Sequence, residues 1–130
     1  MDKNLLSGKR VLVIEDEMLV LMAIQDMLAD LGCTAVSAAG NLDNALALIA
    51  AERFDLATLD LNLNGQRSYP AAQALSDAGV PFAFSTGYGE NAVGEGYRAH
   101  LVLNKPFTNH QFIDVLTALL AEPPSPALAA

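Results

Sequence analysis

The 130 residues carry 15 acidic and 7 basic side chains, for a net charge of −8, with a hydrophobic fraction of 52% and one cysteine. That is enough chain for a single domain with a proper core. Direct reading of a nucleic-acid backbone is excluded, because Lys3, Lys9, Arg10, Arg53, Arg67, Arg98 and Lys105 form no run beyond Lys9-Arg10. An internal disulfide is excluded too, and lone Cys33 reads as a small buried apolar residue of an intracellular protein. No signal-peptide pattern opens the chain, and its longest apolar run, residues 18–24, is too short to span a bilayer. The expected location is therefore the cytoplasm, with neither nucleic acid nor membrane as a partner.

Residues 11–14, Val-Leu-Val-Ile, read as a strand covered on both faces, and it stops at Glu15-Asp16-Glu17. A helix is expected from about Glu17 to Leu31, with Gly32 as its C-terminal cap. A second strand spans residues 34–38, and Asn41 can cap a helix from Leu42 to about Ala51. The third strand is an apolar run that ends abruptly in Asp60, followed by Leu61-Asn62-Leu63-Asn64-Gly65, a polar glycine-containing turn. The next helix starts near Ser68, tolerates Pro70 in its first turn and ends at Gly79. Residues 81–85 and 101–104 are the fourth and fifth strands. Thr108 and Gln111 form a capping box for a last helix over residues 109–121. Residues 122–130, with three prolines, read as a disordered tail or the start of a linker.

Strand and helix alternate except between strands four and five, where glycines 87, 89, 94 and 96 predict a short or irregular crossover. Alternation of this kind builds a parallel sheet with helices on both faces, a three-layer, doubly wound α/β fold. Functional groups then gather at the carboxyl ends of the strands. Glu15 and Asp16, Asp60, Ser85 and Thr86, and Lys105 all fall there. Carboxylates converging on one crevice repel each other unless a cation joins them, and hard oxygen ligands suit Mg²⁺. A lysine and a hydroxyl at neighbouring strand ends supply charge and a hydrogen bond for phosphoryl oxygens. With Asp60 as nucleophile, the set describes phosphoryl transfer onto a carboxylate.

Residues 11–17 (Val-Leu-Val-Ile-Glu-Asp-Glu), 59–65 (Leu-Asp-Leu-Asn-Leu-Asn-Gly), 84–87 (Phe-Ser-Thr-Gly) and 105–107 (Lys-Pro-Phe) together resemble the CheY-like receiver domain of two-component response regulators. The resemblance covers residues 9 to 121 and implies a flavodoxin-like sheet of order 2-1-3-4-5. It implies that Asp60 accepts phosphate from a histidine kinase or histidine phosphotransfer protein. Glu15, Asp16, Asp60 and the backbone carbonyl of Asn62 would hold Mg²⁺, Thr86 and Lys105 would bind the phosphoryl group, and the Lys105-Pro106 bond would be cis. Residues 81–89 further resemble the subfamily named for a Phe-Ala-Thr-Gly-(Gly/Tyr)-Tyr signature (FAT GUY), with Ser85 in the alanine position. Its members often lack an output domain, and the short tail leaves no room for one here. Such a protein signals through a downstream protein, as a monomer or a phosphorylation-dependent dimer. It is no enzyme beyond its own aspartyl phosphorylation and dephosphorylation. The competing class is a degenerate receiver used as a non-phosphorylated interaction module, with a phosphate sink as a variant of the leading reading.

Two features depart from the general family, Val102 and the glycine-rich fourth crossover. Val102 stands where an aromatic residue usually swings inward, and Tyr88 is the candidate to replace it as the switch. The run Met18-Leu19-Val20-Leu21-Met22-Ala23-Ile24 is apolar around more than one helix face. Either it packs deeply, or it leaves an adaptable docking patch with Met18 and Met22 as its candidates. An EF-hand reading of residues 60–65 fails because position twelve would be Ala71. A flavin phosphate is disfavoured by Glu15-Asp16-Glu17. His100 and His110 have no carboxylate partner or metal spacing in view and read as structural or exposed.

Overall fold

The computed structural model describes residues 4–87 and 101–121. Five parallel strands, β1 (Arg10–Ile14), β2 (Ala35–Ala39), β3 (Leu56–Asp60), β6 (Phe82–Thr86) and β7 (Leu101–Asn104), form one sheet in the order β2-β1-β3-β6-β7. This is the expected flavodoxin-like arrangement. Between β3 and β6, β4 (Asn62–Leu63) and β5 (Gln66–Arg67) form a small antiparallel hairpin. Four helices are seen among the described residues: α1 (Met18–Asp30), α2 (Leu42–Ala51), α3 (Tyr69–Asp77) and α4 (Asn109–Ala121). The fourth crossover, expected to be irregular, lies outside the described residues apart from Gly87, as do Tyr88, His100 and residues 122–130.

Alternation along the strands divides the core. Leu12, Ile14, Leu59, Phe82 and Phe84 pack with Ala45, Ile49 and Leu75 of α2 and α3. Their neighbours Val11, Val13, Leu56, Ala83 and Leu103 pack with Ile24, Leu28, Phe112 and Leu116 of α1 and α4. The sheet is thus the middle of three layers, and central β3 and β6 are buried along their whole length. Val102 belongs to the α2/α3 side, half-buried against that cluster.

Local signals place the helix ends. Gly32 (φ +85°) closes α1, with Gly32 N–H donating to Ala29 O and Cys33 N–H to Leu28 O, both at 3.0 Å, the Schellman pattern. Asn41 caps α2 by accepting from Asn44 N–H at 2.8 Å. Thr108 and Gln111 cap α4 reciprocally, at 2.8 and 3.1 Å. Ser68 behaves otherwise. It precedes α3 without capping it, and its hydroxyl donates back to Asp60 O at 2.6 Å. The turn expected after Asp60 is the tip of the β4–β5 hairpin. Asn64 (φ +53°) and Gly65 (φ +85°) both take the left-handed backbone that a type I′ turn requires.

Candidate phosphoacceptor site

Asp60 ends β3 with its side chain almost fully buried. Its Oδ1 accepts from Asn62 N–H at 3.0 Å, and its Oδ2 lies 3.1 Å from Lys105 Nζ. The lysine comes from the far side of β6: Lys105 N–H donates to Thr86 O at 2.8 Å, and the side chain crosses to β3 and β1. There Nζ also sits 2.9 Å from Glu15 Oε1 and 3.8 Å from Glu17 Oε1. The Lys105-Pro106 peptide is cis, as the resemblance implied.

Carboxylate oxygens of Glu15, Asp16, Glu17 and Asp60 all lie within 4.8 Å of one another. Burial pushes the Glu15 carboxyl up to about 7, helped by a hydrogen bond with Asp60 and by that carboxylate's charge; the lysine pulls the other way and is outweighed. Burial works against the charge on Lys105, but Glu15 and Asp60 overcome it and hold its pKa above the ordinary lysine value. Four carboxylates against one ammonium leave an excess of negative charge on hard oxygen donors, a donor set that fits Mg²⁺.

These groups surround a cleft of about 350 Å³ lined by Asp16, Glu17, Asp60, Asn62, Asn64, Gly65, Thr86, Gly87 and Lys105. Thr86 is buried at the end of β6, and Glu15 lies below the cleft, 2% exposed. A larger cavity, about 810 Å³, opens at the amino ends of the strands. Arg10, Glu52, Arg53 and Asp55 are its charged residues; the Arg10 guanidinium is held by Glu52 at 2.6 Å and lies over the Phe54 ring, and the Arg10 backbone N–H donates to Asp55 Oδ2 at 2.7 Å. It offers no convergent reactive groups, so the smaller cleft is the candidate site.

The structure thus brings Glu15, Asp16, Asp60, Asn62, Thr86 and Lys105 together. Tyr88 lies outside the described residues. Met18 and Met22, with Leu19, are exposed on α1 rather than packed. Glu17, Asn64 and Ser68 belong to the site but were not singled out from the sequence. The Asn-Gly pair was the available signal, since it marks a hairpin whose tip can fold back over Asp60.

The model of the response regulator receiver domain matches residues 11–117. The chain belongs to this receiver family. No curated protein matches it. Among solved structures, it is similar to SdrG from Sphingomonas melonis Fr1, with 38% identity over 86% of this chain and 96% of that one (TM-score 0.78). The BeF3-activated conformation of SdrG from Pseudomonas melonis Fr1 gives 37% identity over 88% and 98% (TM-score 0.77). The SdrG matches are consistent with the FAT GUY reading. The receiver domain of sensor histidine kinase PA1611 from Pseudomonas aeruginosa PAO1, solved with magnesium in its active-site cleft, is 23% identical over 89% and 100% (TM-score 0.73), a likeness of fold alone. Receiver membership supports a phosphoacceptor role in a two-component system and interaction with kinases or partner proteins. Among the described residues, no helix is long and apolar enough to cross a membrane.

Proposed function

We propose that this receiver takes a phosphoryl group on Asp60 from a histidine kinase or phosphotransfer protein and signals by protein–protein contact. The observation that carries this reading is the reach of Lys105 Nζ across β6 to Asp60 Oδ2, 3.1 Å away, at the floor of an acidic cleft. An Asp60 oxygen attacks phosphorus as the bond to the imidazole nitrogen breaks, and the imidazole leaves as a neutral group once protonated. Asn62 N–H on Oδ1 fixes the carboxylate's orientation, leaving Oδ2 toward the lysine. Lys105 follows the charge from the carboxylate to the phosphoryl oxygens, and the Thr86 hydroxyl donates to another of them.

Glu15, Asp16, Asp60 and the Asn62 carbonyl would hold Mg²⁺, with Glu17 an added carboxylate at the rim. Bound there, the ion neutralises charge on the transferring group. PA1611 carries magnesium in its cleft and SdrG an activated form with BeF3, which supports the reading by analogy. The protein performs no chemistry on other substrates, and its location is cytoplasmic.

Titration with BeF₃⁻ in the presence of Mg²⁺ tests the site. Saturable shifts of amide resonances around Asp60, Thr86 and Lys105 are expected, and Asp60→Asn abolishes them. A spectrum that does not respond, or a response that survives Asp60→Asn, contradicts the proposal.

A further inference from the structure

Asn64, at the tip of the β4–β5 hairpin, ties together three of the loops at the carboxyl edge of the sheet. Its backbone N–H donates to Asp16 Oδ2 at 3.0 Å, and its side-chain Nδ2 donates to Gly40 O at 3.4 Å. Asp16 lies between β1 and α1, Gly40 between β2 and α2, and Asn64 itself follows β3. The first bond depends on the left-handed backbone at Asn64, φ +53°, because the two positive φ values of the I′ tip turn its N–H back toward Asp16. A carboxylate has two oxygens and about four lone-pair sites, so a donor on Oδ2 leaves Oδ1 available for a cation.

We infer that Asn64 is a positioning residue for the metal site: its N–H, presented by the left-handed turn, holds the Asp16 carboxylate with one oxygen facing the cleft, ready for Mg²⁺. The inference rests on the metal reading given above. Asparagine suits both demands of the position, since it tolerates the left-handed region and its amide reaches Gly40. The N–H acts on Asp16, whereas the side-chain bond only steadies the hairpin. Glycine at 64 therefore retains the function, and a β-branched residue, which resists positive φ, loses it.

Mg²⁺ titrations of wild type, Asn64→Gly and Asn64→Val, followed by amide resonances, separate the possibilities. Asn64→Gly is expected to bind within about twofold of wild type. Asn64→Val is expected to bind roughly three- to tenfold more weakly, the scale of the net contribution of one hydrogen bond. If Asn64→Val fails to fold, the wild-type spectrum still decides. The Asn64 amide should be protected from hydrogen exchange and lose that protection in Asp16→Ala. Undiminished Mg²⁺ affinity in folded Asn64→Val, equal loss in Asn64→Gly, or an Asn64 amide indifferent to Asp16→Ala overturns the inference while the metal reading stands. Absence of Mg²⁺ binding by wild type overturns the metal reading and the inference with it.

Discussion

Glu15 shows what a single residue does in this site. It is buried beneath the cleft, 2.9 Å from Lys105 and hydrogen-bonded through Oε2 to Glu17 N–H at 3.1 Å. Burial first, then Asp60, raises its pKa from 4.5 to about 7. Between those values the folded state keeps a proton that the unfolded chain has released. Glu15 therefore adds stability that is complete below the lower value and is lost as pH rises through the upper one. In EDTA, the urea midpoint of wild type should fall relative to that of Glu15→Gln as pH goes from about 5 to about 8. A difference between the two that stays constant with pH would contradict this assignment. Because metal binding needs the proton gone, Mg²⁺ affinity should rise over the same interval.

Elements carry the site in two ways, and only one was legible in the sequence. Apolar runs that stop at Glu15, Asp60, Thr86 and Lys105 show where strands end, and alternation then brings those ends to one edge. The caps were equally readable: Asn41, Gly32 and the Thr108–Gln111 box act through neighbours within a turn. Thr108→Ala should cost about 1 kcal/mol of stability, read as a lower urea midpoint at unchanged slope. Phosphorylation of Asp60 by a small phosphodonor should be unaffected. A loss of phosphorylation with no loss of stability would mean that Thr108 does more than cap α4. The second way was hidden. Asn64 reaches Asp16 across 48 positions of sequence, and Ser68 turns back to Asp60 O instead of capping α3. Both follow from backbone angles in the hairpin, to which hydrophobic periodicity is blind. Glu17 stood in plain view, but its approach to Lys105 depends on how α1 leaves β1.

At the scale of the molecule, the sheet holds the chemistry at one edge while α1 leaves Met18, Leu19 and Met22 exposed beside it. Below them an apolar groove of about 520 Å³ runs between Val20, Ala23 and Met27 of α1 and Phe107. The patch is proposed as the docking face for the phosphodonor protein, since adaptable methionines beside the cleft suit transient contact. Met18→Ser/Met22→Ser should slow phosphotransfer from the cognate kinase severalfold and leave phosphorylation by a small phosphodonor unchanged. Equal rates from the kinase would remove the patch from the docking surface. The central claim is narrower, that phosphate arrives on Asp60 itself. It is tested by incubating the protein with Mg²⁺ and a small phosphodonor, reducing with borohydride and mapping the modified residue by peptide mass spectrometry. Homoserine should appear at position 60 only, and only when phosphodonor and Mg²⁺ are both present. No conversion, or conversion at another carboxylate, contradicts the account.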